Sequence, residues 1–232
     1  MQNIFEALGH IGLVPVITIE RPVDAVPLAQ ALLAGGVGCA EITFRTAAAA
    51  EAIRRITDEI SEMLVGAGTV LTVQQAEQAV GAGAQYIVSP GFDAAVVDWC
   101  QEHNVPVLPG VATPTEIHMA LARGLKLCKF FPSEELGGVR MLKALYAPYQ
   151  QVRFVPTGGI NAKNLAQYLA LPNVVACGGS WMATSRMITE GRFDEIARVA
   201  REARAIIRQA RGESVGPAVS FAQSTGEEEA FL

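Results

Sequence analysis

The feature that most constrains the fold is the alternation of short β-rich runs with helical segments along most of the chain. Eight β-rich runs occur, at 14–19, 39–44, 64–70, 86–90, 105–110, 127–132, 153–159 and 174–179. The intervening segments have helical spacing and good helix formers, for example at 24–36, 47–60, 72–83, 93–103, 113–124 and 193–212. Such alternation is typical of parallel βαβ units. In 232 residues it predicts an α/β protein with a single (β/α)8 TIM barrel, and a doubly wound open sheet is the alternative.

Helix boundaries support this interpretation. Residue types that favour N-caps stand at Asp24, Thr72, Asp93, Thr113 and Asn161. Segment 2–12 predicts a short N-terminal helix that closes the bottom of the barrel, whereas 212–232 breaks the pattern with Gly, Ser and an acidic run. We therefore divide the chain into a barrel at 1–211 and an acidic C-terminal tail at 212–232. We expect the tail to be mobile or loosely docked, with a functional arm as the alternative.

Composition argues against several classes of protein. Half of the residues are apolar and 18% are charged, which is enough material for one large core. No run is long enough for a membrane span and the N-terminus does not resemble a signal peptide, so we expect a cytoplasmic protein without membrane association. The net charge of −5, without any basic run, argues against nucleic acid as a partner.

Cysteine and histidine positions give no support for a metal site or a disulfide framework. The four cysteines are far apart and form no CxxC motif. Of the three histidines, one precedes the first strand and two fall in helical segments, at His10, His103 and His118. We therefore expect no bound metal and no cofactor.

Two ionisable residues interrupt apolar strands on faces that should point into the barrel. Because alternate strand residues face inward, Glu41, Thr43 and Arg45 share one face of the second strand. Lys129 shares a face of the sixth strand with Leu127 and Phe131. Barrel interiors are usually filled by Val, Ile and Leu, so Glu41 and Lys129 predict a functional site. A buried structural ion pair is the alternative.

The lysine suggests a particular chemistry. Among the four lysines, Lys126 lies near a strand start, Lys143 and Lys163 fall in helical segments, and Lys129 occupies an apolar slot. Desolvation favours the neutral amine, which attacks a carbonyl group and forms a Schiff base. The iminium withdraws electrons from a neighbouring carbon–carbon bond, so aldol cleavage then needs a base. Glu41, directly or through a water molecule, suits that role.

Glycine pairs end the seventh and eighth β-rich runs, where barrels usually bind phosphate. The first pair, Gly158–Gly159, follows Thr157, and the second ends at Gly179 and is followed by Ser180. Glycine lets the backbone approach a phosphate closely, and amide N–H groups with a helix N-terminus supply positive potential. Arg45 and Thr69 are candidates for binding a second anion, a carboxylate beside the reacting carbonyl.

These motifs together resemble a known family. VPVI, AGGV, EITFRT, VGAGTV, IVSPG, LPGV, KFFPSE, RFVPTGGI and GGSW occur in the order found in class I 2-keto-3-deoxy-6-phosphogluconate (KDPG) / 4-hydroxy-2-oxoglutarate (KHG) aldolases. The resemblance covers roughly residues 10–205. It implies a homotrimeric (β/α)8 barrel without metal that cleaves KDPG to pyruvate and glyceraldehyde 3-phosphate, with KHG, which gives pyruvate and glyoxylate, as a second substrate.

The resemblance also implies residue roles. Lys129 is the Schiff-base lysine and Glu41 the general acid/base. The pyruvate part is surrounded by Arg45, Thr69, Pro90 and Phe131, and the hydroxyls and phosphate are held by Thr157, Gly158, Gly159, Gly179 and Ser180. Relatives that act on the galactonate epimer tend to have an apolar residue at the position of Thr157, so its hydroxyl favours the gluconate substrate.

Three other functions remain open at this point. The chain resembles aldolases closely enough that the 6-phosphogalactonate epimer is an alternative substrate. A phosphate-binding barrel isomerase or epimerase would use Glu41 as a base without forming a covalent intermediate. A sugar-phosphate sensor would bind without catalysis. Borohydride trapping of a lysine adduct and release of pyruvate distinguish the aldolases from the other two.

Overall fold

The computed structural model describes residues 2–212 as alternating strands and helices. The strands are β1 (Leu13–Ile17), β2 (Cys39–Thr43), β3 (Leu64–Gly68), β4 (Tyr86–Val88), β5 (Val107–Leu108), β6 (Gly110–Val111), β7 (Leu127–Phe130), β8 (Arg153–Pro156) and β9 (Cys177–Gly179). The helices are α1 (Gln2–Ile11), α2 (Ala25–Ala34), α3 (Ala49–Glu59), α4 (Val73–Gly81), α5 (Ala94–Glu102), α6 (Pro114–Leu121), α7 (Gly138–Tyr146), α8 (Leu165–Leu169), α9 (Ser185–Thr189) and α10 (Phe193–Arg211). Apart from Gly212, the predicted tail lies outside the described residues.

Every pair of neighbouring strands in this part of the chain is parallel. One sheet has the order β5-β4-β3-β2-β1-β9 and the other has the order β6-β7-β8. Isolated parallel bridges, Phe154↔Val174 and Thr157↔Gly178, connect the last strand regions of the two sheets. The α/β class with parallel strands is therefore confirmed, as is the short N-terminal helix.

The fifth β-rich run departs from the prediction of one continuous strand over 105–110. Pro109 separates β5, which pairs with β4, from β6, which pairs with β7. Proline has no N–H group to donate to a strand ladder, so β5 and β6 are separate strands on either side of this residue, although the Pro109 carbonyl accepts a hydrogen bond from Lys129 N at 2.9 Å. The prediction is wrong at this point, and the chain passes from one sheet to the other there. The third run is also shorter than predicted, because β3 ends at Gly68.

Most of the predicted N-caps stand where the structure begins a helix. Helices α4, α5 and α6 follow directly after Thr72, Asp93 and Thr113. Asp24 precedes α2, but its carboxylate accepts two hydrogen bonds from the Arg21 guanidinium instead of capping the helix. The Asn161 prediction is wrong, because α8 follows Asn164. Lys163 accordingly lies in a turn and not in a helix.

Apolar side chains from the strands and helices form one continuous buried core. The four cysteines contribute to it as free, buried thiols, at Cys39, Cys100, Cys128 and Cys177. Burial raises the pKa of all four, and brings Cys100 and Cys128 to about 12. A cavity of about 850 Å³ lies at the start of the strands, beside α1, and its wall includes Phe5, Leu125 and Leu127. None of the helices within residues 2–212 is long and apolar enough to cross a membrane.

Candidate active site

Two strands from different sheets bring a carboxylate and an amine together inside the protein. Glu41 lies on β2 and Lys129 on β7, and Lys129 Nζ donates a hydrogen bond to Glu41 Oε1 at 3.1 Å. Their side chains are 3% and 5% exposed. The residues are 88 positions apart in the chain, so the contact depends on the whole arrangement of strands. It is the pair that inward alternation of these two strands predicts.

Glycines on β3 make room for the Glu41 side chain. A Cβ atom at Gly68 would lie 2.1 Å from Glu41 Oε1, so any larger residue would displace the carboxylate. At Gly66 the space is filled by the ring of Tyr86, whose hydroxyl donates to the Ala40 carbonyl at 3.2 Å. Burial, with the neighbouring Cys39 and Glu41, raises the pKa of Tyr86 well above its ordinary value. The phenol therefore stays neutral and adds no negative charge beside the carboxylate.

The Glu41–Lys129 contact is poorly explained as a source of stability. Removing two charges from water has a desolvation cost that often equals or exceeds their attraction, and apolar residues of similar volume would fill the space at least as well. The Phe131 ring, whose centroid is 5.5 Å from Lys129 Nζ, offers the ammonium a further favourable surface. A hydrogen-bonded amine and carboxylate can instead exchange a proton, which leaves a neutral amine for nucleophilic attack.

Arg45 and Thr69 meet just beyond the ends of β2 and β3. The Arg45 Nε donates to Thr69 Oγ1 at 3.2 Å. Thr69 has a φ of 57°, in the left-handed region, which is unusual and strained for a β-branched residue. This conformation ends β3 directly after Gly68 and directs the threonine hydroxyl to the arginine. A guanidinium with a hydroxyl neighbour is a suitable binding site for a carboxylate.

A cavity of about 300 Å³ opens at the C-terminal ends of β7, β8 and β9. Its wall includes seven residues predicted to bind substrate, namely Arg45, Phe131, Thr157, Gly158, Gly159, Gly179 and Ser180. Glycines again define the shape, because a Cβ atom at Gly178 would lie 2.2 Å from Thr157 Oγ1. The two glycine pairs, which are about twenty residues apart in the chain, therefore face one space.

Other predicted residues lie behind or beside this cavity. Thr69 is outside the wall and accepts a hydrogen bond from Arg45, which belongs to the wall. Lys129 is also outside it, and its Nζ lies 5.5 Å from the ring centroid of Phe131, another wall residue. Pro90 is absent from the wall, and its carbonyl oxygen packs against Gly110, where a Cβ atom would lie 2.1 Å away. Gly110 is the residue of β6 that pairs with Lys129 on β7, so Pro90 lies beside the strand position next to the lysine.

The cavity also includes residues that the sequence reasoning missed, among them Thr18, Thr184 and Ser185. Thr18 follows β1, and its hydroxyl is 3.0 Å from Thr43 Oγ1. The rule that strand C-terminal ends gather functional side chains would have identified it. Thr184 and Ser185 belong to the start of α9, a five-residue helix too short to produce a periodic signal.

Within residues 2–212, no group of three or more His, Cys, Asp and Glu side chains is close enough to hold a metal ion. The histidine rings make other contacts. His10 and His103 bond to the carbonyls of Glu6 and Trp99, and His118 Nε2 is 2.9 Å from the Tyr149 hydroxyl.

Known proteins are similar to this chain over most of its length. A model of the aldolase family described as KDPG and KHG aldolase matches residues 4–199. A 2-dehydro-3-deoxy-phosphogluconate aldolase of Treponema pallidum is 54% identical over 207 residues, which cover 89% of this chain and 99% of the relative.

Solved structures agree with the sequence relatives. KDPG aldolase from Legionella pneumophila, with pyruvate captured at low pH as a covalent carbinolamine intermediate, matches with a TM-score of 0.82 and 40% identity over 86% of this chain and 96% of that one. The KDPG aldolase of Zymomonas mobilis ZM4 with 3-phosphoglycerate matches with a TM-score of 0.81 and 38% identity, over 89% of this chain and 97% of that one.

Proposed function

The chain belongs to the KDPG and KHG aldolase family, and from this premise we propose that it is a Schiff-base aldolase that cleaves KDPG to pyruvate and D-glyceraldehyde 3-phosphate. It is thus a carbon–carbon lyase, and KHG, which yields pyruvate and glyoxylate, is its second substrate. The observation that carries the proposal is the buried hydrogen bond of 3.1 Å between Lys129 Nζ and Glu41 Oε1. The covalent pyruvate carbinolamine in the Legionella relative supports the same chemistry.

The reaction follows from the two side chains and the substrate. The neutral amine of Lys129 attacks the keto carbon C2, and loss of water from the carbinolamine gives an iminium. Glu41 removes the proton of the C4 hydroxyl, the C3–C4 bond breaks, and its electron pair moves into the iminium to form an enamine. Glyceraldehyde 3-phosphate leaves. The proton held by Glu41 returns to C3, and water hydrolyses the pyruvate imine to regenerate the amine.

The remaining predicted residues hold the two ends of the substrate. Arg45 and Thr69 bind the carboxylate next to the keto group, while Phe131 packs on the pyruvate part beside the amine. The phosphate is bound by the glycine pairs with Ser180, and Thr157 contacts a hydroxyl group. The Zymomonas relative was solved with a phosphorylated three-carbon acid, which supports a phosphate site in this fold. Pro90 stays a prediction.

We infer three further features of the molecule. The sheets close into a (β/α)8 barrel, which is supported by the bridges between β8 and the β9 region and by the continuity of β5 and β6 through Pro109. Residues 1–211 form the catalytic domain and 212–232 lie outside it, because α10 ends at Arg211 and the family match ends at residue 199. The assembly is a homotrimer, for which the family resemblance is the support.

Trapping the imine tests the proposed function. Pyruvate with sodium borohydride should reduce the imine to a stable adduct on Lys129, located by peptide mass spectrometry. Lys129→Ala should abolish both the adduct and turnover. Lys126→Ala removes an exposed lysine three positions away and is the matched control that should keep both.

Each contrary outcome has a definite meaning. An adduct on another lysine would exclude this mechanism. Conversion of KDPG to an isomer, without an adduct and without pyruvate release, would indicate an isomerase or epimerase that uses Glu41 as a base. Binding of KDPG without any conversion would indicate a sensor. A coupled assay of pyruvate release from the gluconate and galactonate epimers identifies the preferred substrate.

A further inference from the structure

The loop that follows β7 is joined to the loop that follows β8 by main-chain hydrogen bonds. Ser133 N donates to the carbonyl of Thr157 at 2.8 Å, and Glu134 N donates to the carbonyl of Gly158 at 3.1 Å. The first loop continues directly from the strand of Lys129, and the second contains the first glycine pair. The position of the glycine pair is therefore set by residues 133 and 134.

These two bonds determine where the glycine amides point. In a planar trans peptide the C=O group and the following N–H group point in opposite directions. Because the carbonyls of Thr157 and Gly158 point to residues 133 and 134, the N–H groups of Gly158 and Gly159 point away from them. Both glycines line the 300 Å³ cavity. The parallel bridge between Thr157 and Gly178 turns the Gly158 N–H group to the Gly178 carbonyl, while no acceptor within residues 2–212 takes a hydrogen bond from the Gly159 N–H group. A free glycine amide of this kind in a cavity wall suits a phosphate.

A tyrosine from α8 holds the residues that orient these amides. The Tyr168 hydroxyl donates to Glu134 Oε1 and accepts a hydrogen bond from Ser133 Oγ at 3.1 Å. Tyr168 and Ser133 are fully buried. Burial, together with the bond to Glu134, raises the pKa of the phenol, so the hydroxyl remains a donor. Tyr168 itself is not part of the cavity wall.

The same contact keeps a negative charge away from the cavity. The stem of Glu134 covers Gly159, where a Cβ atom would lie 2.4 Å from Glu134 Cγ. The Glu134 carboxylate is nevertheless absent from the cavity wall, because Tyr168 holds it at α8. Without the phenol hydroxyl, this carboxylate would be free to turn toward the phosphate and repel it.

We propose that Tyr168 is a positioning residue for the phosphate, which acts through Ser133 and Glu134 to orient the Gly158 and Gly159 amides and thereby sets the preference for phosphorylated over unphosphorylated keto acids. The inference rests on the proposed aldolase function and adds to it a determinant of substrate class. Tyr168 is outside the cavity, so it acts on the substrate only through the glycine loop.

The experiment compares Tyr168→Phe with the unaltered full-length protein on two substrates, KDPG and 2-keto-3-deoxygluconate, which is the same sugar acid without phosphate. Loss of one hydrogen bond in a charged network should lower the ratio of kcat/KM for KDPG to that for the unphosphorylated acid about tenfold. The change should appear mainly as a higher KM for KDPG. Inorganic phosphate, used as a competitive inhibitor, should bind about tenfold more weakly.

Two further variants separate positioning from a general structural effect. Tyr149→Phe removes a buried phenol hydroxyl that is bonded to His118 at 2.9 Å, and should leave the ratio unchanged. Glu134→Gln keeps an acceptor for the phenol and should stay near the unaltered ratio, whereas Glu134→Ala should lower it. If Tyr168→Phe does not fold, the two Glu134 variants decide.

Several results would overturn the inference. The first is an unchanged ratio of the two kcat/KM values in Tyr168→Phe or Glu134→Ala. The second is an equal loss of kcat/KM on both substrates in Tyr168→Phe, and the third is a change of the ratio in Tyr149→Phe as large as that in Tyr168→Phe. The borohydride adduct distinguishes this failure from that of the proposed function. An adduct at Lys129 in the unaltered protein together with an unchanged ratio in Tyr168→Phe refutes the positioning role alone, while absence of any adduct refutes the aldolase mechanism.

Discussion

Gly68 on β3 offers a steric test of the proposed catalytic geometry, because its substitution displaces the Glu41 carboxylate while Glu41 and Lys129 themselves stay unchanged in the sequence. A Cβ atom there would lie 2.1 Å from Glu41 Oε1, 2.5 Å from Cγ and 2.7 Å from Cδ, whereas an ordinary contact begins near 3.4 Å. Gly68→Ala therefore requires the carboxylate oxygen to move by 3.4 − 2.1 = 1.3 Å. Gly68 does not have a positive φ, so the backbone itself accepts alanine.

The displacement is large compared with the contact that it disturbs. Glu41 Oε1 lies 3.1 Å from Lys129 Nζ, so a shift of 1.3 Å is about two fifths of the hydrogen-bond distance and changes its geometry substantially. Misplacing a catalytic group by about 1 Å can reduce the rate about 100-fold, and we expect Gly68→Ala to lower kcat for KDPG cleavage by that factor. Lys129 keeps its position, so the borohydride adduct should still form. The crowded strand should also cost about 1–3 kcal/mol of stability.

The assay couples pyruvate release to lactate dehydrogenase, with thermal unfolding measured on the same samples. Gly81→Ala is the matched control, because Gly81 is an exposed residue of α4 with no atom within 4 Å of the added Cβ. It should keep full activity and gain up to about 1 kcal/mol of stability. A folded Gly68→Ala protein with kcat within about twofold of the unaltered protein would refute the reasoning, since the carboxylate position would then not limit the reaction.

Three further changes test separate parts of the site and core. Glu41→Gln should lower kcat at least about 100-fold while the pyruvate adduct on Lys129 still forms; loss of the adduct would place Glu41 in imine formation as well. Thr157→Val should reduce the preference for the gluconate over the galactonate epimer about tenfold in kcat/KM, and an unchanged ratio would contradict the role of its hydroxyl. Burial raises the pKa of Cys100 and Cys128 from 9.0 to about 12, so their contribution to stability is complete below pH 9 and is lost as the pH rises toward 12. The urea concentration at the midpoint of unfolding should therefore decrease when the pH is raised from about 8 to about 10.5, and the decrease should be smaller in Cys128→Ala. An equal decrease in that variant would contradict this account.

The sequence predicts the contact between Glu41 and Lys129 because its signal is local. An ionisable residue on the inward face of an apolar strand stands out by period-two alternation alone, and this identified both Glu41 and Lys129. The glycine pairs also carry a local signal, which is their position at the ends of two strands. The α/β class followed from the repeated alternation of strand and helix, which many segments support together.

The features that escaped prediction depend on contacts between distant segments. Gly68 reads as an ordinary strand glycine until the register places Glu41 against it. The link between Ser133 and Tyr168 joins residues 35 positions apart, and nothing in either segment indicates the other. Pro109 did carry a local signal, because proline cannot donate within a strand, but the apolar residues around it favoured one uninterrupted run.

The four thiols in the core make the native protein a convenient starting point for site-specific labelling. Maleimides and haloacetamides react with accessible thiolates, and burial withholds all four native cysteines from them while the protein is folded. A single cysteine introduced at Val23, which is 62% exposed, would therefore accept a fluorophore selectively without prior removal of the native ones. Gradual reaction of the native cysteines at elevated temperature would in turn report how often the core opens.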